Sequence, residues 1–248
     1  MRLALLALFL VVTAILLIRA ANRDRRDYRR FKRLTTTRER QFVLGKWLRE
    51  SFLLFGGLAI AVLLASWTYI GPASASALAW SPVAWLHAQM SDSFGIGAAG
   101  GVAVGFLIVL LLPVALMRKQ VGDIPAVGDI GAMLPRTRGE LKYGFGLSIN
   151  AGLVEELLFR LGMPALLFGI TGNGPIAFGL AALLFGLLHI YQKALGVIAA
   201  TVLGVVFTLL YLLTGSIWIV MIVHALIDLR SLVLIPLVIG RVWKVSTP

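Results

Sequence analysis

Apolar stretches recur along this chain at residues 3–18, 51–70, 97–117, 144–168, 174–191, 194–213 and 216–238. A helix needs ~20 such residues to cross ~30 Å of hydrocarbon. The pattern therefore predicts an all-α, polytopic transmembrane helix bundle of about seven spans. An eighth helix arises if the last stretch breaks near Pro236 or divides after Arg230. Within the first stretch, "MRLALLALFLVVTAILLIRAAN" has the outline of a secretory leader, but the strongly basic segment after it resists translocation. It reads as a retained first span.

The polar segments between the spans differ sharply from one another. Residues 19–50 hold twelve of the 23 Lys and Arg, residues 118–143 hold five, the link after the fifth span holds Lys193, and the tail holds Arg241 and Lys244. The segments 71–96, 169–173 and 214–215 hold none. Strict alternation then predicts an integral protein of the plasma or inner membrane, N-terminus outside and C-terminus in the cytoplasm. The formal charge of +12 is explained by this bias, which removes the case for nucleic-acid binding. Tyr28, Phe31 and Phe42, set among the basic residues, would let that segment lie on the inner leaflet, unless it is simply a solvated topology determinant. Gly97, Gly101 and Gly105 are spaced to let a neighbouring helix approach closely.

Composition adds two exclusions. Only 14% of residues are charged, against roughly 25% in soluble domains, and the mean hydropathy is +0.93. There is no cysteine, hence no disulfide, thiolate nucleophile or cysteine-ligated metal.

Against that background, ionisable groups inside apolar stretches stand out, because burying a charge in lipid is costly. They are Glu155, Glu156 and Arg160 in the fourth stretch, His189 in the fifth, and His224 and Asp228 in the seventh. Glu156 and Arg160 are four apart and share a helix face, which leaves Glu155 as the carboxylate without a partner in its own helix. His224 and Asp228 share a face by the same rule, as do Phe185 and His189. Together these could form one polar cluster from three helices. A glutamate beside a histidine can take a proton from water and pass it to a leaving amine, while a second histidine can donate to an oxyanion. The set Glu155, His189 and His224 would equally suit a zinc ion with one open position. Inert polar ties between helices, or a transport path, would use the same residue types; no inverted repeat of polar segments supports transport.

"EELLFR" (Glu155 to Arg160), "FGLLH" (Phe185 to His189) and "HALID" (His224 to Asp228) resemble the EExxxR, FxxxH and HxxxN/D motifs of the CPBP family of intramembrane proteases. These are relatives of the Rce1-type CAAX prenyl proteases, called Abi proteins in bacteria. The resemblance covers roughly residues 144–230. It implies an Rce1-like bundle opening toward the cytoplasm, with residues 1–143 as N-terminal spans, 144–238 as the protease core and 239–248 as a cytoplasmic tail. It implies further that Glu155 and His189 activate the attacking water, that His224 and Asp228 stabilise the oxyanion, and that Glu156 and Arg160 shape the site. The expected activity is that of an endopeptidase acting on a peptide or protein substrate at the bilayer, with no cofactor required although a divalent metal such as zinc would be compatible. Leu161 stands where many members have glycine, and Asp228 takes the Asp variant of the third motif. The sequence holds no HExxH, GxGD or GxSG signature of other intramembrane proteases. A catalytically silent scaffold or bacteriocin-immunity protein that keeps the fold is the alternative reading.

Overall fold

A computed structural model describes residues 1–90, 93–117 and 129–244. The fold is all-helical, with no strand among the described residues. In chain order, α1 is Arg2–Phe31 and α2 is Thr37–Leu78. They are followed by α3 (Ser81–Met90) and α4 (Ser93–Met117). Next comes α5, a continuous helical run over 141–171, and then α6 (Gly174–Leu187). Last are α7 (Lys193–Thr214) and α8 (Ile217–Val238). Among the described residues, four helical stretches are long and apolar enough to cross a membrane: α1, α2, α7 with the turn before it (Ile190–Thr214), and α8. α6 is shorter and α5 carries the three ionisable groups of the first motif.

Segments 19–50 and 71–96, expected as loops, are largely helical. Thr36 caps the helix over 37–66: its hydroxyl accepts from the Glu39 amide at 3.3 Å and donates to the Glu39 carboxylate at 2.6 Å. In segment 71–96, Pro72 falls in the first turn of the helix Ile70–Leu78, where a missing N–H costs nothing.

The N-terminal helices are part of the core that supports the motifs. Leu5, Val12 and Leu16 of α1 and Ala59 and Val62 of α2 pack with Leu158, Phe159 and Met163 of α5. Tyr28 and Phe31 turn inward as well, correcting the idea that they dip into lipid. Phe31 packs on Trp47 at 4.8 Å and under the Arg40 guanidinium at 4.4 Å, and Tyr28 meets Tyr191 edge-on at 5.6 Å. Phe42 alone of the three is exposed. Gly101 and Gly105 face open space rather than a packed helix, and the surroundings of Gly97 lie outside the described residues. α4 is tied instead through its backbone, where the Leu110 carbonyl accepts from Arg230 at 2.7 Å.

The basic segments meet at one end of the bundle. Lys32 and Lys193 both pair with Asp129. Arg40, almost fully buried, binds the equally buried Glu140 at 3.0 Å and donates to the Ala132 and Leu134 carbonyls at 3.1 Å each. Arg118 and Lys119 lie outside the described residues. At the opposite end, the segment with no basic residues meets the start of α6, where the Gly174 amide donates to Ser76 at 3.0 Å.

Candidate active site

The first motif lies where the helix leaves α geometry. Residues Ala151–Glu155 and Leu157–Gly162 are π-helical, a distortion found mostly as short bulges at functional sites. Further π segments occur at Arg19–Asp24 and at Arg230–Leu234, directly after the third motif.

Close packing brings the third motif onto the first. A Cβ added at Gly152 would sit 2.8 Å from the Met221 carbonyl and 2.9 Å from the Ala225 Cβ. Gly144, two turns earlier, leaves similar room for the Leu232 carbonyl at 2.5 Å. α8 therefore lies directly against α5, with His224 above the paired glutamates.

The Glu156–Arg160 pair forms as its spacing predicts, at 2.9 Å with both side chains fully buried. Glu156 also accepts from His224 Nδ1 at 2.6 Å, a contact between residues 68 apart that no helical rule could anticipate. The His224 Nε2 faces Asp228 at 3.8 Å. Phe207 stacks on the His224 ring at 5.0 Å, and the Arg160 guanidinium rests over Phe185 at 4.6 Å and Phe207 at 5.2 Å.

His189 sits just past the end of α6, in a turn rather than within the helix. Its Nδ1 lies 2.9 Å from the Phe185 carbonyl. Because a carbonyl only accepts, Nδ1 carries the proton and Nε2 keeps a free lone pair. Phe185 packs against His189 at 5.0 Å, as its spacing predicts, and also against His224 at 6.0 Å.

The six motif residues thus divide into two groups around Phe185. Glu155 and His189 open onto a cavity of about 160 Å³, which His224 and Asp228 do not line. Glu156, Arg160 and His224 form a closed polar knot behind it, with Asp228 at its edge and partly exposed. The cavity's other walls come from outside the motifs: Arg19 and Asp24 on the π segment of α1, Ser51 on α2, and Tyr191 after His189. Sequence spacing gave no hint of these, since nothing local links them to the motifs. Glu155, His189 and His224, the set that would hold zinc, do not converge. Among the described residues no three His, Asp or Glu side chains are gathered so as to hold a cation.

A helical bundle of membrane-spanning length, with paired acids and two imidazoles at the crossing of three helices, defines an intramembrane polar centre. Residues 138–230, which hold all three motifs, match the Type II CAAX prenyl endopeptidase Rce1-like family. That segment is thus similar to the CPBP/Rce1-like membrane proteases, as the motifs suggest. Comparisons with curated proteins and with solved structures return no match.

Proposed function

We propose that the protein is an intramembrane endopeptidase of the CPBP type, hydrolysing a peptide bond near the cytoplasmic membrane face with water activated by Glu155 and His189. The observation that carries this reading is the shared cavity. Of the six ionisable motif residues, these two open onto it, and His189 presents there a nitrogen able to accept a proton. Glu155 removes the proton from water as it attacks the scissile carbonyl, and that proton passes to the leaving amine. His224, held by Glu156 at one nitrogen, lies behind Phe185; it reaches the developing oxyanion with the other nitrogen, when the ring carries both protons, once the scissile carbonyl seats past that ring. Asp228, beside that nitrogen, steadies the imidazolium. No step needs a metal or other cofactor. The basic end of the bundle is placed in the cytoplasm and the N-terminus outside.

The test is a comparison of protein termini across the host proteome in cells carrying the wild type, Glu155→Ala, His189→Ala or no copy. New termini are expected only with the wild type, the variants losing about 10²–10⁴-fold in rate while still inserting in the membrane. Full cleavage by either variant overturns the reading. If Glu155→Ala instead rescues the phenotype of deletion, the protein serves as a scaffold.

A further inference from the structure

Beside the Glu155 cavity lies a larger groove of about 670 Å³. One wall is cationic: Arg25 and Arg29, four residues apart on α1, with Lys32 one turn further on and Lys193 opposite. The other wall is apolar and exposed, formed by Leu187, Ile190 and Ile198 with Val197 between them. Tyr28 and Tyr191 line both the groove and the cavity. Their edge-on contact at 5.6 Å is the partition between the two.

The charges in the groove are not balanced. Asp129 ties up Lys32 and Lys193. Among the described residues, Arg25 and Arg29 have no acidic partner. Positive-inside bias requires cations at this end of the bundle, but it does not require two unpaired guanidiniums on one helix face beside an apolar wall. Lys193 is held there at a backbone cost, with φ 66° and ψ −175°, a region populated almost solely by glycine.

We propose that this groove is the docking site for an acidic, amphipathic segment of the substrate peptide flanking the scissile bond, with its carboxylates on Arg25 and Arg29. The proposal rests on the endopeptidase reading and adds a substrate class to it. The wall shared with the Glu155 cavity favours substrate over lipid: a chain lying in the groove needs only to pass the Tyr28–Tyr191 pair to reach Glu155 and His189. The apolar wall takes the other face of the same segment.

The test reads binding without turnover. Full-length Glu155→Ala protein in phosphatidylcholine nanodiscs is titrated with a fluorescent amphipathic peptide bearing a run of glutamates, and with its glutamine counterpart. The glutamate peptide is expected to bind about tenfold more tightly, with a preference that shrinks as salt rises. Adding Arg25→Glu and Arg29→Glu is expected to abolish the preference, and adding Arg25→Lys and Arg29→Lys to retain most of it. Both positions are exposed, and unchanged helicity and monodispersity verify that the variants are folded. Equal binding of the two peptides, or a preference that survives charge reversal, overturns the proposal. Phosphatidylglycerol retained through purification by the parent but not by the charge-reversed variant, with no peptide preference, assigns the groove to a lipid headgroup instead. Because no cleavage is read, these outcomes are independent of the termini comparison that tests the protease itself.

Discussion

Two buried arginine–glutamate pairs, in different parts of the bundle, are built in opposite ways. Arg40 and Glu140, at the basic end, share three hydrogen bonds, and Arg40 gives two more to backbone carbonyls. The Glu140 carboxylate also accepts from the Arg136 amide at 3.0 Å. Arg160 and Glu156 are as close, at 2.9 Å, yet none of the three guanidinium nitrogens of Arg160 makes an aligned hydrogen bond. Its flat face leans on two phenylalanines instead. A pair whose task is to hold helices together commits most of its donors, since an unmade hydrogen bond in a buried place is costly; of the Arg40 nitrogens only Nη1 is left without a partner. The pair beside the motif glutamates keeps donor capacity in reserve, and Glu156 spends one oxygen on His224. The first pair is a clasp, and the second sits in the proposed working centre.

The largest effect should come from opening the clasp. Arg40→Ala leaves the Glu140 carboxylate buried and is expected to cost about 3–5 kcal/mol, read as earlier thermal unfolding in detergent. A loss below about 1 kcal/mol would show that the pair does not hold the bundle. Replacing both partners sharpens the contrast. Arg40→Met with Glu140→Leu should recover most of the stability, because matched apolar pairs often substitute for buried ions. Arg160→Met with Glu156→Leu should also leave a folded protein but end proteolysis, since His224 loses its acceptor. A smaller loss of about 1–3 kcal/mol is expected of Gly152→Val, whose side chain would push α8 off α5. Cleavage should fall further than stability does, because that displacement separates His224 from Glu156.

The smallest effect is a pH dependence at the basic end. The Lys32 ammonium, hydrogen-bonded to Asp129, holds that carboxyl below its ordinary value of 3.8, with Lys193 adding to the effect. A carboxylate shifted downward adds stability that is fully present above its unfolded value. The contribution is lost as pH falls below that value and through the folded one. Thermal unfolding followed downward from pH 5 should therefore show a small extra loss below about pH 4, absent in Asp129→Asn. An unchanged profile in that variant would remove Asp129 as its source.

The comparison also marks what the sequence could convey. Helical spacing identified the Glu156–Arg160 pair and the contact of Phe185 with His189. Three motifs in order pointed to the Rce1-like family. What stayed hidden depended on distance along the chain or on backbone form. The Glu156–His224 bond joins residues on helices whose approach is set by Gly144 and Gly152. The π turns have no simple sequence signature. Arg40 looked like one more topology-setting cation, although it is almost wholly buried. The walls given by Arg19, Asp24 and Ser51 lie before residue 138, where the family match begins, so no motif could mark them.

α6 spans only fourteen residues, which makes it about 21 Å long against the ~30 Å of a typical hydrocarbon core. A span that is too short draws the surrounding bilayer thin, at a cost of fractions of a kcal/mol per Å of mismatch. His189 lies just past the end of this helix, so in the proposed membrane-embedded reading the depth of the imidazole below the lipid headgroups depends on acyl-chain length as well as on the fold. On that reading, shorter acyl chains are expected to bring the histidine nearer to bulk water and longer ones to bury it.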